Sequence, residues 1–332
     1  MKVLKPEYFH QFHCIAGACP DSCCKEWAVD VDDTAAAFYR SLTGPLGERL
    51  RQVLKDTEGG TVMTIEDGRC PMWREDGLCR IQAELGHAAL CQVCQDFPRL
   101  QHDYGNFVEY GLELSCPEAA RLILTQSHKL LVEEVPGGDA PEYDEDTMTI
   151  LLDSRKAVMA FLDSTSLPAN QALAVLLLYA HEVQGWIDGG EPAVLDADEQ
   201  LTLARNYAVQ GDWCRFLDFF RDLEILTPQW RNRLTCPEGN CHWHGGYLAL
   251  AKYFIERYWL QAVADYDLVG RAKFLISASL LICHLGGNFA ETAQLYSKEI
   301  ENNPDNLDAI FDGTYSSPAL TDVQILSLLL NI

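Results

Sequence analysis

The sequence predicts a mainly helical protein of the α+β class. A cysteine-rich N-terminal domain of helices and a small antiparallel sheet (residues 1–132) is followed by an acidic linker (133–146) and an all-helical C-terminal domain (147–332). Three observations predict this. Of the 13 cysteines, nine fall in the first 116 residues and four in the remainder. The stretch Glu133–Asp146, EEVPGGDAPEYDED, holds seven carboxylates, two Pro, two Gly and no basic residue, so it buries little and repels itself. Beyond it, apolar residues recur every three or four positions, the period of an amphipathic helix. With 332 residues, 48% of them apolar, the chain is long enough to build substantial cores.

Taken in order, Asp33–Lys55 reads as helix, broken at the Gly44-Pro45 pair, where proline cannot continue the hydrogen-bond ladder. Thr61–Glu66 alternates weakly and reads as a short strand. Phe107–Leu114, FVEYGLEL, alternates more clearly and makes the better strand. Pro117 then opens a helix, PEAARLILTQ, at the position where its missing N–H costs nothing. After the linker, helices are expected over Thr147–Leu162, Ala169–Ile187, Asp196–Gln210, Asp212–Leu223, Gly246–Ala264, Val269–Leu285 and Leu320–Leu330. No fixed-period repeat marks a solenoid.

Charge and compartment narrow the function. Asp and Glu outnumber Lys and Arg 49 to 25, a net charge of −24. A surface of that sign repels polyanions, so nucleic acid and anionic lipid are excluded as partners. The first residues, MKVLKPEYFHQFHC, carry no apolar run or small-residue cleavage site of a secretory signal. The apolar stretches Ala172–Ala180 and Phe274–Cys283 fall short of the roughly 20 residues that span a bilayer. A cytoplasmic location is therefore expected. In that reducing setting clustered cysteines point to metal or redox chemistry before disulfides.

The early cysteines form four blocks. They are Cys14-x4-Cys19-x3-Cys23-Cys24, Cys70-x8-Cys79, Cys91-x2-Cys94 and the single Cys116. Spacings of two to four residues let successive thiolates wrap one centre, and Pro20, Pro71 and Pro117 each follow a cysteine directly, a habit of iron–sulfur loops. Cys14, Cys19, Cys23, Cys24, Cys70, Cys79, Cys91 and Cys94 are thus the candidate metal ligands. Zinc would take two hooks, Cys70/Cys79 and Cys91/Cys94. A 4Fe–4S cluster would take four thiolates, or three with one iron left open. Neighbouring Cys23 and Cys24 diverge too much to share one small ion. Later in the chain, Cys236-x4-Cys241-His242-x-His244 has ligand-type residues for a second metal, although Pro237 and Gly239 can simply make a turn there. Cys214 and Cys283 sit within helical patterns and are expected in the core.

Missing motifs exclude further classes. The chain has no GxGxxG, no GxxxxGK[ST], no CxxxCxxC, no GxSxG and no HExxH. Rossmann enzymes, P-loop enzymes, standard radical enzymes, α/β-hydrolases and zinc proteases are disfavoured together.

The blocks Cys14–Trp27, Cys70–Ile81, Leu90–Arg99 (LCQVCQDFPR) and Leu114–Arg121 (LSCPEAAR), in that order, resemble the flagellin lysine-N-methylases (FliB-type). More distantly they are similar to cysteine-cluster proteins described as zinc- or iron-chelating domains. The resemblance is specific over about residues 5–125 and continues more weakly into KEIENNPDN, Lys298–Asn306. It implies a cytoplasmic enzyme that moves a methyl group from S-adenosyl-L-methionine to lysine ε-amines of flagellin, with a 4Fe–4S cluster held by N-terminal cysteines. An open iron would anchor the amino and carboxylate groups of that cofactor. The absent GxG agrees with a methyltransferase outside the Rossmann type.

Such chemistry also needs a neutral amine and in-line positioning. Glu26, Asp30, Asp96 and Tyr104 lie near the cysteine blocks, but the sequence assigns no catalytic base among them. Arg99, after Phe97-Pro98, is the candidate to bind a cofactor carboxylate, or else caps a turn. A lysine-bearing protein partner suits the acidic surface. The alternatives are a non-enzymatic zinc- or iron-binding interaction module and, last, a redox protein using Cys91 and Cys94, which lacks the βαβ context of such a motif.

Overall fold

In the computed structural model, which describes residues 1–23, 25 and 29–330, strands and helices share the first 134 residues and helices fill the rest. The strands are β1 (Lys2–Pro6), β2 (Val29–Val31), β3 (Leu54–Thr57), β4 (Gly60–Met63), β5 (Arg99–Asp103), β6 (Phe107–Leu112) and β7 (Leu130–Glu134). The helices among them are α1 (Asp33–Ser41), α2 (Gly44–Val53), α3 (Arg80–Leu85), α4 (Gln92–Asp96) and α5 (Pro117–Thr125). There follow α6 (Glu145–Ser164), α7 (Ala169–Ile187), α8 (Ala197–Tyr207), α9 (Trp213–Arg221), α10 (Pro228–Thr235), α11 (Gly246–Tyr258), α12 (Ala262–Asp265), α13 (Leu268–Leu285), α14 (Phe289–Tyr296), α15 (Pro304–Ser316) and α16 (Asp322–Leu330). The expected α+β class holds.

Two sheets form. One has the order β2-β4-β3 and is antiparallel; the other has the order β5-β6-β1-β7 and is mixed. In the second, β1 runs parallel to β6, with Lys2 opposite Phe107, and antiparallel to β7, with Lys2 opposite Glu134. An antiparallel sheet alone was expected. The parallel pair escapes a local reading because KVLKP is short and cationic and its partner lies far along the chain. The acidic stretch accordingly begins inside β7, and Asp144 at its far end caps α6 by accepting from the Thr147 N–H at 2.8 Å. Acidic residues cap other helices too: Asp32, Asp196, Asp212 and Asp267 each accept from a first-turn N–H of α1, α8, α9 and α13.

Buried side chains of the described residues fall into two cores. The larger begins at Tyr8 and Phe12, takes in Phe107, Leu112 and Leu114, and continues through α5 to α16. At its centre α13 packs against α7, α11, α14, α15 and α16. This helix is 18 residues long with mean hydropathy 1.5, apolar and long enough to cross a bilayer, yet all of it is buried inside the protein. The smaller core unites Val29, Val31, Tyr39, Leu50, Val53, Met63, Met72 and Ile81 with Cys70, Leu90 and Cys91. The cysteine blocks from Cys70 to Cys94 therefore ride on a compact unit of their own, between β1 and β5.

Candidate functional site

Cys91 precedes α4, and its carbonyl accepts from the Cys94 and Gln95 N–H groups at 3.0 Å each. That turn brings the two sulfurs together. The Cys94 thiol hydrogen-bonds the Cys91 sulfur and lowers the Cys91 pKa, against the opposing effect of burial. Cys79 lies near enough to feel the charges of Cys23 and Cys91, and burial raises its own pKa. Burial also pushes the Cys116 thiol up to about 12, with the Cys19 and Cys23 charges adding to the rise. Cys19 is raised by burial and in turn senses Cys14 and Cys23. Cys14, Cys19, Cys23, Cys79, Cys91, Cys94 and Cys116 thus form one chain of neighbouring thiols. Cys116, which the sequence reading left out of the ligand set, belongs to it.

The segment carrying Cys19 and Cys23 is fastened to the helical half through Asp21. Its carboxylate accepts from Lys298 Nζ at 2.8 Å and from the Gln294 amide at 3.1 Å. Burial alone would raise the Asp21 pKa. The Lys298 ammonium, the Ser22 N–H and the Gln294 amide outweigh it and hold the group at about 2. The amide of Gln294 also donates to the carbonyl of Ser115, beside Cys116, at 2.7 Å.

The donor set fits an iron–sulfur cluster in kind, being all thiol, with Cys19, Cys79, Cys94 and Cys116 half-buried, Cys91 buried and Cys14 and Cys23 exposed. Among the described residues no three His, Cys, Asp or Glu side chains stand together as a ready-made site for a metal ion. Cys24 and Glu26 lie outside the described residues. Cys70 is buried, its sulfur 3.7 Å from the Met63 sulfur.

Other expected residues have local employment. The Arg99 guanidinium lies 5.2 Å from the centre of the Phe12 ring, at the exposed start of β5. Asp30 is exposed, and exposed Asp96 accepts from the Gln92 amide one turn back. Tyr104 stacks on Phe107, and burial raises its phenol pKa well above the usual value. At the possible second metal position, His244 accepts from the Gly246 N–H at 3.1 Å, and Cys236 is exposed. Cys241 instead meets Cys283: its thiol and the Tyr247 hydroxyl both hydrogen-bond the Cys283 sulfur, which lowers the Cys283 pKa. Cys283 is in the core as expected. Cys214 is not: α9 turns Phe216, Leu217 and Phe220 inward and leaves Cys214 exposed.

Between the mixed sheet and helices α6 and α11 lies a polar interior that sequence reasoning missed. Glu109 on β6 and Arg155 on α6 form a buried two-pronged ion pair at 2.5 and 2.8 Å. Glu256 on α11 accepts from the Tyr8 hydroxyl at 2.9 Å and lies 3.0 Å from His128 Nδ1. Arg257 donates to the Tyr253 hydroxyl at 2.7 Å and pairs with the fully buried Glu301 at 3.3 Å. Of these groups Tyr8, Glu109, Arg155, Tyr253, Glu256 and Arg257, with His102, line a cavity of about 30 Å³ floored by Pro6, Leu100, Gly111 and Leu130. The only sequence signal was a set of charged residues interrupting otherwise apolar helical faces, which reads equally well as a solvated surface.

No family profile and no solved structure matches the chain. Among curated proteins it is 34% identical over 139 residues to a lysine-N-methylase of Salmonella typhimurium, and equally to one of Salmonella choleraesuis. Those matches cover 40% of this chain and 35% of either relative, so the chain spans about a third of their length. The flagellar biosynthetic protein FliU of Salmonella muenchen is 34% identical over 139 residues as well, and there the match spans 82% of the relative. Identity at that level over most of FliU, joined to the four cysteine blocks in order, places this chain in the flagellin lysine-N-methylase family.

Proposed function

We propose that the protein transfers a methyl group from S-adenosyl-L-methionine to lysine ε-amines of a flagellin-type protein, in the cytoplasm before export. The observation that carries the reading is the likeness to FliU and to the lysine-N-methylases in a chain whose early cysteines stand as neighbours. We place a 4Fe–4S cluster on thiols drawn from Cys14, Cys19, Cys23, Cys24, Cys79, Cys91, Cys94 and Cys116. Bound there, it would supply Lewis-acidic iron for the amino and carboxylate groups of the methyl donor. Cys70, held against Met63, is the weakest candidate of the original eight.

The residues of the chain itself have separate tasks. Lys298 and Gln294 fix the Cys19–Cys23 segment through Asp21. The Asp32 carboxylate caps α1 at Ala35 and also accepts from the Gln92 N–H, which fixes the Cys91–Cys94 turn against β2. Carboxylates outnumber cations 49 to 25 over the chain and would draw in a lysine-bearing partner.

Anaerobic purification with metal analysis and electron paramagnetic resonance tests the cluster. The expected result is brown protein absorbing near 400 nm, the region roughly typical of thiolate–iron charge transfer. Colourless protein with stoichiometric zinc would overturn it and leave the metal-binding interaction module. Calorimetry with S-adenosyl-L-methionine on the loaded protein, followed by mass spectrometry of flagellin incubated with both, tests the reaction. A 14 Da increment on lysine is expected for each methyl group (about 14 Da, one CH₂ net).

A further inference from the structure

The connection from α10 to α11 lies along the end of α13 and is bound to it through the backbone. The Gly239 N–H donates to the His284 carbonyl at 3.0 Å and the Glu238 N–H to the Leu285 carbonyl at 3.4 Å. The Arg233 guanidinium donates to the Gly286 carbonyl at 3.0 Å. The last carbonyls of a helix have no partner within it, so the loop supplies what α13 lacks. Two residues past Gly239 comes Cys241, and one residue before His284 stands Cys283. The backbone bonds therefore carry one thiol to the other. Cys241 is half-buried at the surface of the larger core, while Cys283 is only 2% exposed within it. Rings close over the pair. Trp243 meets Tyr247 with centroids 4.7 Å apart, and His244 and Tyr247 meet Phe289, at the start of α14, at 4.7 and 4.6 Å.

Such surroundings differ from those of a cysteine that merely fills space. A structural core thiol sits among apolar atoms and stays inert. Here the Cys241 thiol, the Tyr247 hydroxyl and the His242 N–H all donate to the Cys283 sulfur. The Cys241 bond is the strongest influence and lowers the Cys283 pKa; burial opposes it, and Tyr247 and His242 add to the lowering. The same contact, then burial, raise the Cys241 pKa, so one proton serves the two sulfurs. A sulfur with thiolate character, a second thiol touching it and a half-open approach are the features of an oxidisable pair. The groups that act on these sulfurs are each other, Tyr247 and His242, so the pair is chemically separate from the early cysteines.

We propose that Cys241 and Cys283 are a redox-active dithiol which a hydroperoxide converts to a disulfide, closing the α10–α11 loop onto the end of α13. The inference does not depend on the methyltransferase reading. The half-exposed Cys241 sulfur meets the oxidant first. It attacks one peroxide oxygen, its proton passes to the Cys283 sulfur, and the O–O bond breaks to release hydroxide. That leaves a sulfenic acid on Cys241. The Cys283 sulfur then forms the S–S bond as the S–O bond breaks, and its proton leaves with the departing oxygen as water. Two electrons from the two sulfurs have reduced one peroxide, and a dithiol reductant reverses the change.

The test treats the full chain with a slight excess of hydrogen peroxide and alkylates the remaining thiols in denaturant without reduction. Tryptic peptides are then mapped by mass spectrometry. Peptides 234–252 and 274–298 should appear joined, lighter by two hydrogens than their sum, and dithiothreitol should separate them. Cys236 shares the first peptide, so two variants run beside the wild type: Cys236→Ser should keep the link and Cys241→Ser should lose it. The linked form should exceed any other disulfide of these two peptides by about tenfold, as contact favours the internal partner. Closing the loop should also raise Tm by about 5 °C in the wild type and in Cys236→Ser, and not in Cys241→Ser. Both thiols recovered alkylated while other cysteines oxidise would overturn the proposal, as would a link that survives in Cys241→Ser. An unchanged Tm in cross-linked protein would overturn the closing of the loop.

Discussion

At the scale of single residues, the buried Glu109–Arg155 pair is where the molecule is most exposed to damage. Arg155→Met leaves a carboxylate desolvated without its partner, and the expected loss is about 3–5 kcal/mol in urea unfolding. Glu109→Gln combined with Arg155→Met should recover part of that loss. Asp322 gives a pH signature. Burial would raise its carboxyl, but His181 Nε2 at 3.2 Å and Lys273 Nζ at 3.1 Å outweigh burial and lower its pKa. A depressed folded-state pKa means the stabilisation is complete above the unfolded value, near 3.9, and fades as pH falls through the lower folded value. Asp322→Asn should therefore be less stable than the wild type at pH 6, with the gap closing toward pH 2 in thermal melts. None of these pairings is visible in the sequence, because Glu109 and Arg155, or Asp322 and Lys273, are distant in the chain and meet only by packing. The thiols were visible because short spacings confine them whatever the fold does. Even so, Cys116 was undervalued, since nothing beside it in sequence shows that Cys19 and Cys23 are its neighbours.

At the scale of elements, what could be read locally was read well. The expected break at Gly44-Pro45 lands at the start of α2, with Leu42 and Thr43 separating it from α1, and the long helices α6, α7, α11 and α13 lie where three-and-four spacing placed them. Short strands were lost: β1, β2 and β3 have three to five residues each, too few for alternation to register. The KEIENNPDN stretch proves to be a junction. Ser297–Glu301 is a π-helical turn extending α14. Within it Lys298 holds Asp21, and Glu301 accepts from Tyr253 and Tyr258. Asn303 then caps α15. Lys298→Met should loosen the Cys19–Cys23 segment, so those thiols should react faster with a disulfide reagent at unchanged helix content. The end of α13 offers a backbone test. Gly286 has φ 69°, and a Cβ there would come within 2.5 Å of a Glu238 carboxylate oxygen. Gly286→Ala should cost about 1 kcal/mol or more, read from denaturant midpoints.

At the scale of the whole molecule, a charge of −24 sets the response to salt. Going from 10 mM to 150 mM salt shortens the screening length from about 30 Å to about 8 Å. Self-repulsion should weaken, and Tm should rise across that range. The same change should slow capture of a lysine-rich substrate, measured as a fall in kcat/KM. The mixed sheet carries a different consequence, one of timing. Because β1 pairs in parallel with β6, the first strand must wait until about a hundred further residues have been made, and closing so long a loop is entropically slow. The smaller core needs only residues from Val29 to Cys94. During synthesis the cysteine unit can therefore consolidate first, presenting Cys79, Cys91 and Cys94 in place before the sheet closes and the helices behind it arrive.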